Sequence, residues 1–148
     1  LNKKFNFKKL IGVELNKYNY NKCNNNIKLT NSNKFKIFNL NAKDFIVPTD
    51  VNYIYFYNPF QKNYIPGSVI DNNEIQTYSQ VIENIKKSFL NKKRKIIIIF
   101  LNIIPSHDKN KRIFKLFKNN FKLLEFEIFN YNKFIFSINP LRYAIFST

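Results

Sequence analysis

The chain has 148 residues, a formal net charge of +16 and a pI of about 9.9. This length suits one hydrophobic core, so we predict a single domain over residues 1–148. The longest apolar run, residues 96–104, has about half the length of a membrane-spanning helix, which predicts that no segment crosses a membrane. Cys23 is the single cysteine, which excludes a disulfide framework and a zinc-finger spacing and favours a reducing, cytoplasmic compartment.

The basic charge leaves two interpretations open. Clustered Lys and Arg are typical of nucleic-acid partners, so one interpretation is a non-catalytic basic module that binds RNA or another nucleic acid. However, the arginines that grip phosphate bidentately are few, namely Arg94, Arg112 and Arg142. Abundant Asn, Ile and Lys beside two Gly and two Ala also indicate compositional drift toward A- and T-rich codons, which would leave the charge on a solvated surface.

The first half of the chain alternates short apolar runs with polar segments. The run LIGVEL at residues 10–15 predicts a buried strand, and KIFNL at residues 36–40 predicts a second strand. Between them, Tyr20, Cys23 and Ile27 recur at helical spacing and predict one stripe of a weak, exposed helix over residues 16–28. The β-branched and aromatic run at residues 51–57 predicts a central strand that Pro59 terminates.

The second half contains the clearest helix pattern, over residues 74–90. Its apolar face is predicted to consist of Ile75, Tyr78, Val81, Ile82, Ile85 and Phe89. A strand apolar on both faces follows at residues 95–101, then a short helix at residues 113–117 and two closing strands at residues 123–129 and 143–147. This order predicts an α/β protein, a three-layer Rossmann-like sandwich with a mostly parallel sheet and a C-terminal antiparallel strand.

In such sheets ligands bind beyond the carboxyl ends of the strands. At three of these predicted strand ends the sequence has groups suited to bind a nucleoside. Glu14 could accept both hydroxyls of a ribose, or be a solvated strand-end charge. Asn41 and Ala42 could read the edge of an adenine, or Asn41 could reflect the general excess of asparagine. Asn58 ends the central strand, which the following proline alone would also explain.

Four segments in this order, KKLIGVEL, FNLNAKDF, VNYIYFYNPF and RKIIIIFLN, resemble the second to fifth strands of the class I S-adenosylmethionine-dependent methyltransferases. The resemblance extends from about residue 9 to residue 147. It implies that S-adenosylmethionine is the cofactor and that no metal is needed. It also implies a fragment, because the family's first strand and its Gly-rich loop would lie before Leu1.

The resemblance assigns cofactor binding to four residues. Glu14 stands where the family binds the ribose hydroxyls. Asn41 stands where an acid usually receives the adenine amino group, and the N–H of Ala42 would meet an adenine ring nitrogen. Phe45 would lie against the base.

The resemblance assigns the methyl acceptor to the segment Tyr57, Asn58, Pro59 and Phe60. This segment is similar to the Asn/Asp-Pro-Pro-Tyr/Phe loop of amino-group methyltransferases, with one proline missing. Asn58 and the backbone at Pro59 would orient an acceptor such as an amine, while the two aromatic rings would line the site. His107 follows a proline in a predicted loop, where it could be a solvated side chain or a catalytic group.

Overall fold

The computed structural model describes residues 7–57, 74–90, 95–101, 108–129 and 141–148. The chain divides into two compact units. The first unit comprises Leu1–Phe45 with Asn63–Val69, and the second comprises Ile46–Lys62 with Ile70–Thr148. No helix within the described ranges is long and apolar enough to cross a membrane.

The first unit is a β-α-β element. Strands β1 (Leu10–Val13) and β2 (Phe35–Phe38) pair in parallel, and helix α1 (Lys17–Leu29) makes the crossover that parallel strands require. The side chain of Asn16 caps α1, because its Oδ1 accepts the backbone N–H groups of Tyr18 and Asn19 at 2.9 and 3.2 Å. No side chain of α1 is buried, so this helix depends on its cap and on contacts along β2.

The second unit is a mixed α/β layer. In chain order it contains β3 (Tyr53–Tyr57), α2 (Glu74–Phe89), β4 (Ile97–Leu101), α3 (Asp108–Asn120), β5 (Lys122–Phe129) and β6 (Leu141–Ser147). The strands lie in the order β3-β4-β6-β5; β3 and β4 are parallel, whereas β6 runs antiparallel to both β4 and β5. The predicted α/β class and the C-terminal antiparallel strand are therefore confirmed.

Aromatic side chains form the core of the second unit. The ring of Phe117 on α3 is fully buried, and its centroid lies 5.3 to 5.9 Å from those of five other rings. Those rings are Phe56, Tyr78, Phe100, Phe121 and Phe146. Pairs at this spacing are each worth about 0.5–1.5 kcal/mol beyond the apolar area that they bury. The alternate residues of β3, Tyr53 and Tyr55, are more than half exposed, so one face of that strand carries the core.

The structure corrects four details of the predicted elements. Strand β2 ends at Phe38 instead of residue 40, because the next residues turn into a short 3₁₀ helix, Ala42–Asp44. Cys23 is exposed rather than part of the inward stripe of α1. Ile75 is 38% exposed, since the core contacts of α2 begin at Thr77. Helix α3 has 13 residues, far more than predicted, because lysine and asparagine extend it beyond its apolar centre.

Candidate cofactor site

Strand β1 ends at Val13 instead of the predicted residue 15, so Glu14 directly follows it. The backbone N–H of Glu14 extends the parallel ladder by donating to the carbonyl of Phe38 at 3.0 Å. The half-buried carboxylate uses Oε1 to accept the N–H of Asn16 at 2.7 Å. Within the described part of the chain, Oε2 accepts no hydrogen bond. Glu14 is thus held in place by one oxygen and presents the other, which suits it to accept a hydroxyl group.

Asn39 joins the carboxyl ends of the two parallel strands. Its Nδ2 donates to the carbonyl oxygens of Glu14 and Leu15, at 2.9 and 3.1 Å. One amide therefore fixes the exit of β1 to that of β2. The residues that follow these two strand ends, Glu14, Asn41, Ala42 and Phe45, are together called the cofactor edge below.

Asn41 lies three residues beyond β2, where it is the N-cap of the 3₁₀ helix. Its Oδ1 accepts the N–H of Lys43 at 3.1 Å, and its carbonyl accepts the N–H of Asp44 at 2.9 Å. The N–H of Ala42 donates to no group among the described residues, as expected for the first residue of a helix. The turn therefore presents one unused backbone donor next to a side-chain amide, a pair of groups that can meet the edge of a purine.

Phe45 ends the turn, and its N–H donates to the carbonyl of Ala42 at 3.2 Å. Its half-buried ring packs against Phe38, with a centroid distance of 5.6 Å and an interplanar angle of 48°. Phe38 also lies beneath the ammonium group of Lys36, at 4.7 Å from Nζ to the ring centroid. This tilted ring contact holds Phe45 in place, and a contact of Phe45 with a base stays a prediction.

The acceptor segment is described only at its first residue. Tyr57 is the last residue of β3 and pairs with Leu101 at the carboxyl end of β4. Asn58, Pro59 and Phe60 lie outside the described residues, and so does His107. Their predicted roles therefore stay predictions.

A second polar cluster lies on the antiparallel strands of the second unit. The hydroxyl of Tyr143 on β6 is within hydrogen-bond distance of Glu125 on β5, and it lies 2.7 Å from Oε2 of Glu127. Hydrogen bonds to Glu125 and then to Glu127 raise the pKa of Tyr143, because the two carboxylates disfavour a phenolate. A hydroxyl has one proton to donate, so the two glutamates share it.

Sequence reasoning missed Asn16, Asn39 and the Tyr143 cluster. Asn16 was detectable, since an asparagine before a helical pattern is an N-cap signal. Asn39 was hidden by the excess of asparagine. The Tyr143 cluster depends on the pairing of Tyr143 with Glu127 across β5 and β6, and a single sequence does not specify that register.

No protein-family model matches the chain, and no curated protein resembles it in sequence. Solved structures resemble it in fold. M. jannaschii TYW2 in complex with AdoMet is 15% identical with a TM-score of 0.55, and the match covers 99% of this chain and 59% of that one. P. horikoshii TYW2 in complex with MeSAdo is 14% identical with a TM-score of 0.52, covering 94% and 48%.

A third structure, a P. horikoshii protein provisionally assigned as an RNA methyltransferase, is 16% identical with a TM-score of 0.51; the match covers 95% of this chain and 62% of that one. The chain thus spans between 48% and 62% of the length of these three proteins. At these identities the likeness concerns the fold. The chain shares the fold of these three structures, in agreement with the predicted α/β, Rossmann-like class.

Proposed function

We propose that the chain binds S-adenosylmethionine at the cofactor edge, as part of an enzyme that transfers the methyl group to an acceptor. One observation carries the proposal. Glu14 Oε2 and the N–H of Ala42, an acceptor and a donor without partners in the described part of the chain, lie at the carboxyl edge of one parallel strand pair. Nucleotide cofactors bind at this edge in open α/β sheets, and the bound AdoMet in one structural neighbour supports the choice of ligand.

Each residue of the cofactor edge has a defined task in this proposal. Glu14 accepts the ribose hydroxyls with Oε2 while Oε1 keeps its bond to Asn16. The N–H of Ala42 donates to a ring nitrogen of adenine. Asn41 caps the turn with one lone pair of Oδ1 and retains the second for the adenine amino group.

When bound, the cofactor supplies a methyl group on a positively charged sulfur, which an acceptor's lone pair can displace. The roles of the acceptor segment in this proposal are those that the family resemblance implies. Asn58 and the backbone of Pro59 would orient the acceptor, and Tyr57 and Phe60 would exclude water. Positioning of this kind contributes about 7–11 kcal/mol in well-aligned systems. The acceptor class to test first is RNA, because one neighbour is provisionally assigned to RNA methylation.

The proposal is tested by calorimetric titration of the protein with S-adenosylhomocysteine and with its 2′-deoxy analogue. We expect the parent compound to bind and the analogue to bind roughly 10- to 100-fold more weakly, since a hydrogen bond to a charged group is worth about 1.5–3 kcal/mol. If neither compound binds, the proposal is overturned. Equal affinities for the two compounds would contradict the contact between Glu14 and the ribose 2′-hydroxyl.

Methyl transfer itself is tested by product analysis after incubation with S-adenosylmethionine and total RNA. Attack on the methyl carbon breaks the bond from that carbon to sulfur and leaves S-adenosylhomocysteine, which is the expected product. Release of MeSAdo would show instead that the aminocarboxypropyl group is transferred. In Asn58→Ala we expect the rate of product formation to fall with little change in cofactor affinity, and an unchanged rate would remove Asn58 from the site.

A further inference from the structure

Helix α3 carries three lysines on the side opposite its buried face. Lys111, Lys115 and Lys118 recur at intervals of four and three residues, which places them on one line of the helix, and all three are exposed. On the other side of α3, Ile113 and Phe117 are 4% and 0% exposed. The three lysines are called the basic stripe below.

No carboxylate neutralises the basic stripe within the described residues. None of the three ammonium groups forms an ion pair there; the one acidic residue of α3, Asp108, stands three positions before Lys111 and seven and ten positions before Lys115 and Lys118. Like charges at these spacings repel one another and destabilise a helix. Lys111 in addition lies in the half of α3 nearer its positive end, where a cation is unfavourable. A bound polyanion would relieve this repulsion.

Helix α1 provides an internal comparison. It also has 13 residues, and two of its three lysines lie over aromatic rings. Nζ of Lys17 is 5.7 Å from the ring of Tyr20, and Nζ of Lys22 is 5.1 Å from the ring of Tyr18. Compositional drift explains lysines scattered in this way, and it does not account for a straight row of unpaired cations.

We propose that the basic stripe docks the phosphate backbone of an RNA. From Lys111 to Lys118 the helix rises about 10 Å at 1.5 Å per residue, a length over which a polynucleotide strand presents several phosphates. A membrane surface is disfavoured because the apolar side of α3 is buried in the core and cannot enter lipid. The choice of RNA rests on the proposed function, in which RNA is the first acceptor class.

The test compares two triple variants that lose the same charge. In one, Lys111, Lys115 and Lys118 become glutamine; in the other, Lys17, Lys22 and Lys28 of α1 become glutamine. Glutamine preserves helix propensity, and circular dichroism checks that both variants fold. The readout is the fluorescence anisotropy of a labelled single-stranded RNA over a series of KCl concentrations.

We expect the stripe variant to reduce the slope of log K against log salt by about 2, because each phosphate contact on a single strand contributes about 0.7. On the same basis its affinity falls roughly 50-fold at about 0.15 M salt. The α1 variant should lose far less. Equal losses in both variants would overturn the proposal, as would binding to phosphatidylserine vesicles that depends on the stripe while RNA binding does not.

Titration of the same proteins with S-adenosylhomocysteine separates this inference from the proposed function. The stripe variant should keep wild-type cofactor affinity. If wild type binds RNA through the stripe and does not bind the cofactor, the docking surface stands and the proposed function fails. If wild type binds the cofactor and the stripe variant retains full RNA affinity, the docking surface fails and the proposed function stands.

Discussion

The two units of the molecule are stabilised in different ways. In the first unit, none of the described residues 7–45 is buried. Its strand ends and turns are held by side-chain hydrogen bonds, which Asn39 donates and which Asn16 and Asn41 accept. In the second unit, a cluster of aromatic rings is almost completely buried around Phe117. The second unit therefore has a packed aromatic core, whereas the first unit presents accessible polar groups at the ends of its strands.

The largest effect is expected in the aromatic core. Phe117→Ala should lower the free energy of unfolding by about 3–5 kcal/mol, because it removes a fully buried ring and leaves a cavity. Phe38→Ala is the matched control in the first unit, where the ring is only half-buried, and it should cost less than half as much. Urea denaturation measures both values. Equal losses would show that the two units do not differ in this way.

The helix cap should give the next largest effect. Asn16→Ala removes the side-chain acceptor for two backbone N–H groups and should cost about 0.5–2 kcal/mol of helix stability. Hydrogen exchange at the amides of Tyr18 and Asn19 should accelerate accordingly. Asn25→Ala is the control, because this exposed residue lies inside α1 and alanine has the higher helix propensity. Unchanged exchange in Asn16→Ala would contradict the assigned cap.

The adenine contact should give a smaller effect. Asn41→Asp keeps the cap of the 3₁₀ helix and adds a charged acceptor for the adenine amino group. Cofactor affinity should rise about fivefold, since a hydrogen bond to a charged group exceeds a neutral one by about 1 kcal/mol. Asn33→Asp adds the same charge at an exposed position outside the cofactor edge and should leave the affinity unchanged. Weaker binding by Asn41→Asp would contradict the assigned contact.

The smallest effect is expected at Tyr143. A raised pKa means that folding favours the protonated hydroxyl, so this stabilisation is fully present below the unfolded tyrosine pKa of about 10 and is lost as the pH rises above it. Tyr143→Phe should therefore flatten the decline of stability above about pH 10. Thermal melting over that range measures the difference. Parallel pH profiles for the two proteins would exclude a role for the hydrogen bonds to Glu125 and Glu127.

The sequence predicted the order of helices and strands and the position of Glu14, because apolar periodicity and strand exits are local features. It placed Asn41 at the end of a strand, whereas the residue caps a turn, since among the described residues Leu40 and Asn41 have no cross-strand partners that would extend β2. It missed Asn39 because nothing local distinguishes this asparagine from the many others, and its bond to Glu14 joins residues 25 positions apart. Long-range contacts of this kind depend on strand pairing, which one sequence does not fix.

The central claim is that the cofactor edge binds the adenosine part of S-adenosylmethionine, and Glu14→Gln tests it most directly. Glutamine keeps Oε1 as the acceptor for the N–H of Asn16. It replaces Oε2 with the NH₂ of an amide, which donates hydrogen bonds and does not accept them. Asp44→Asn is the matched control, because it removes the same charge from an exposed residue of the adjacent turn. In calorimetric titrations with S-adenosylhomocysteine, we expect roughly 10- to 100-fold weaker binding by Glu14→Gln and no change in Asp44→Asn. Unchanged affinity in Glu14→Gln, or an equal loss in both variants, would contradict the claim.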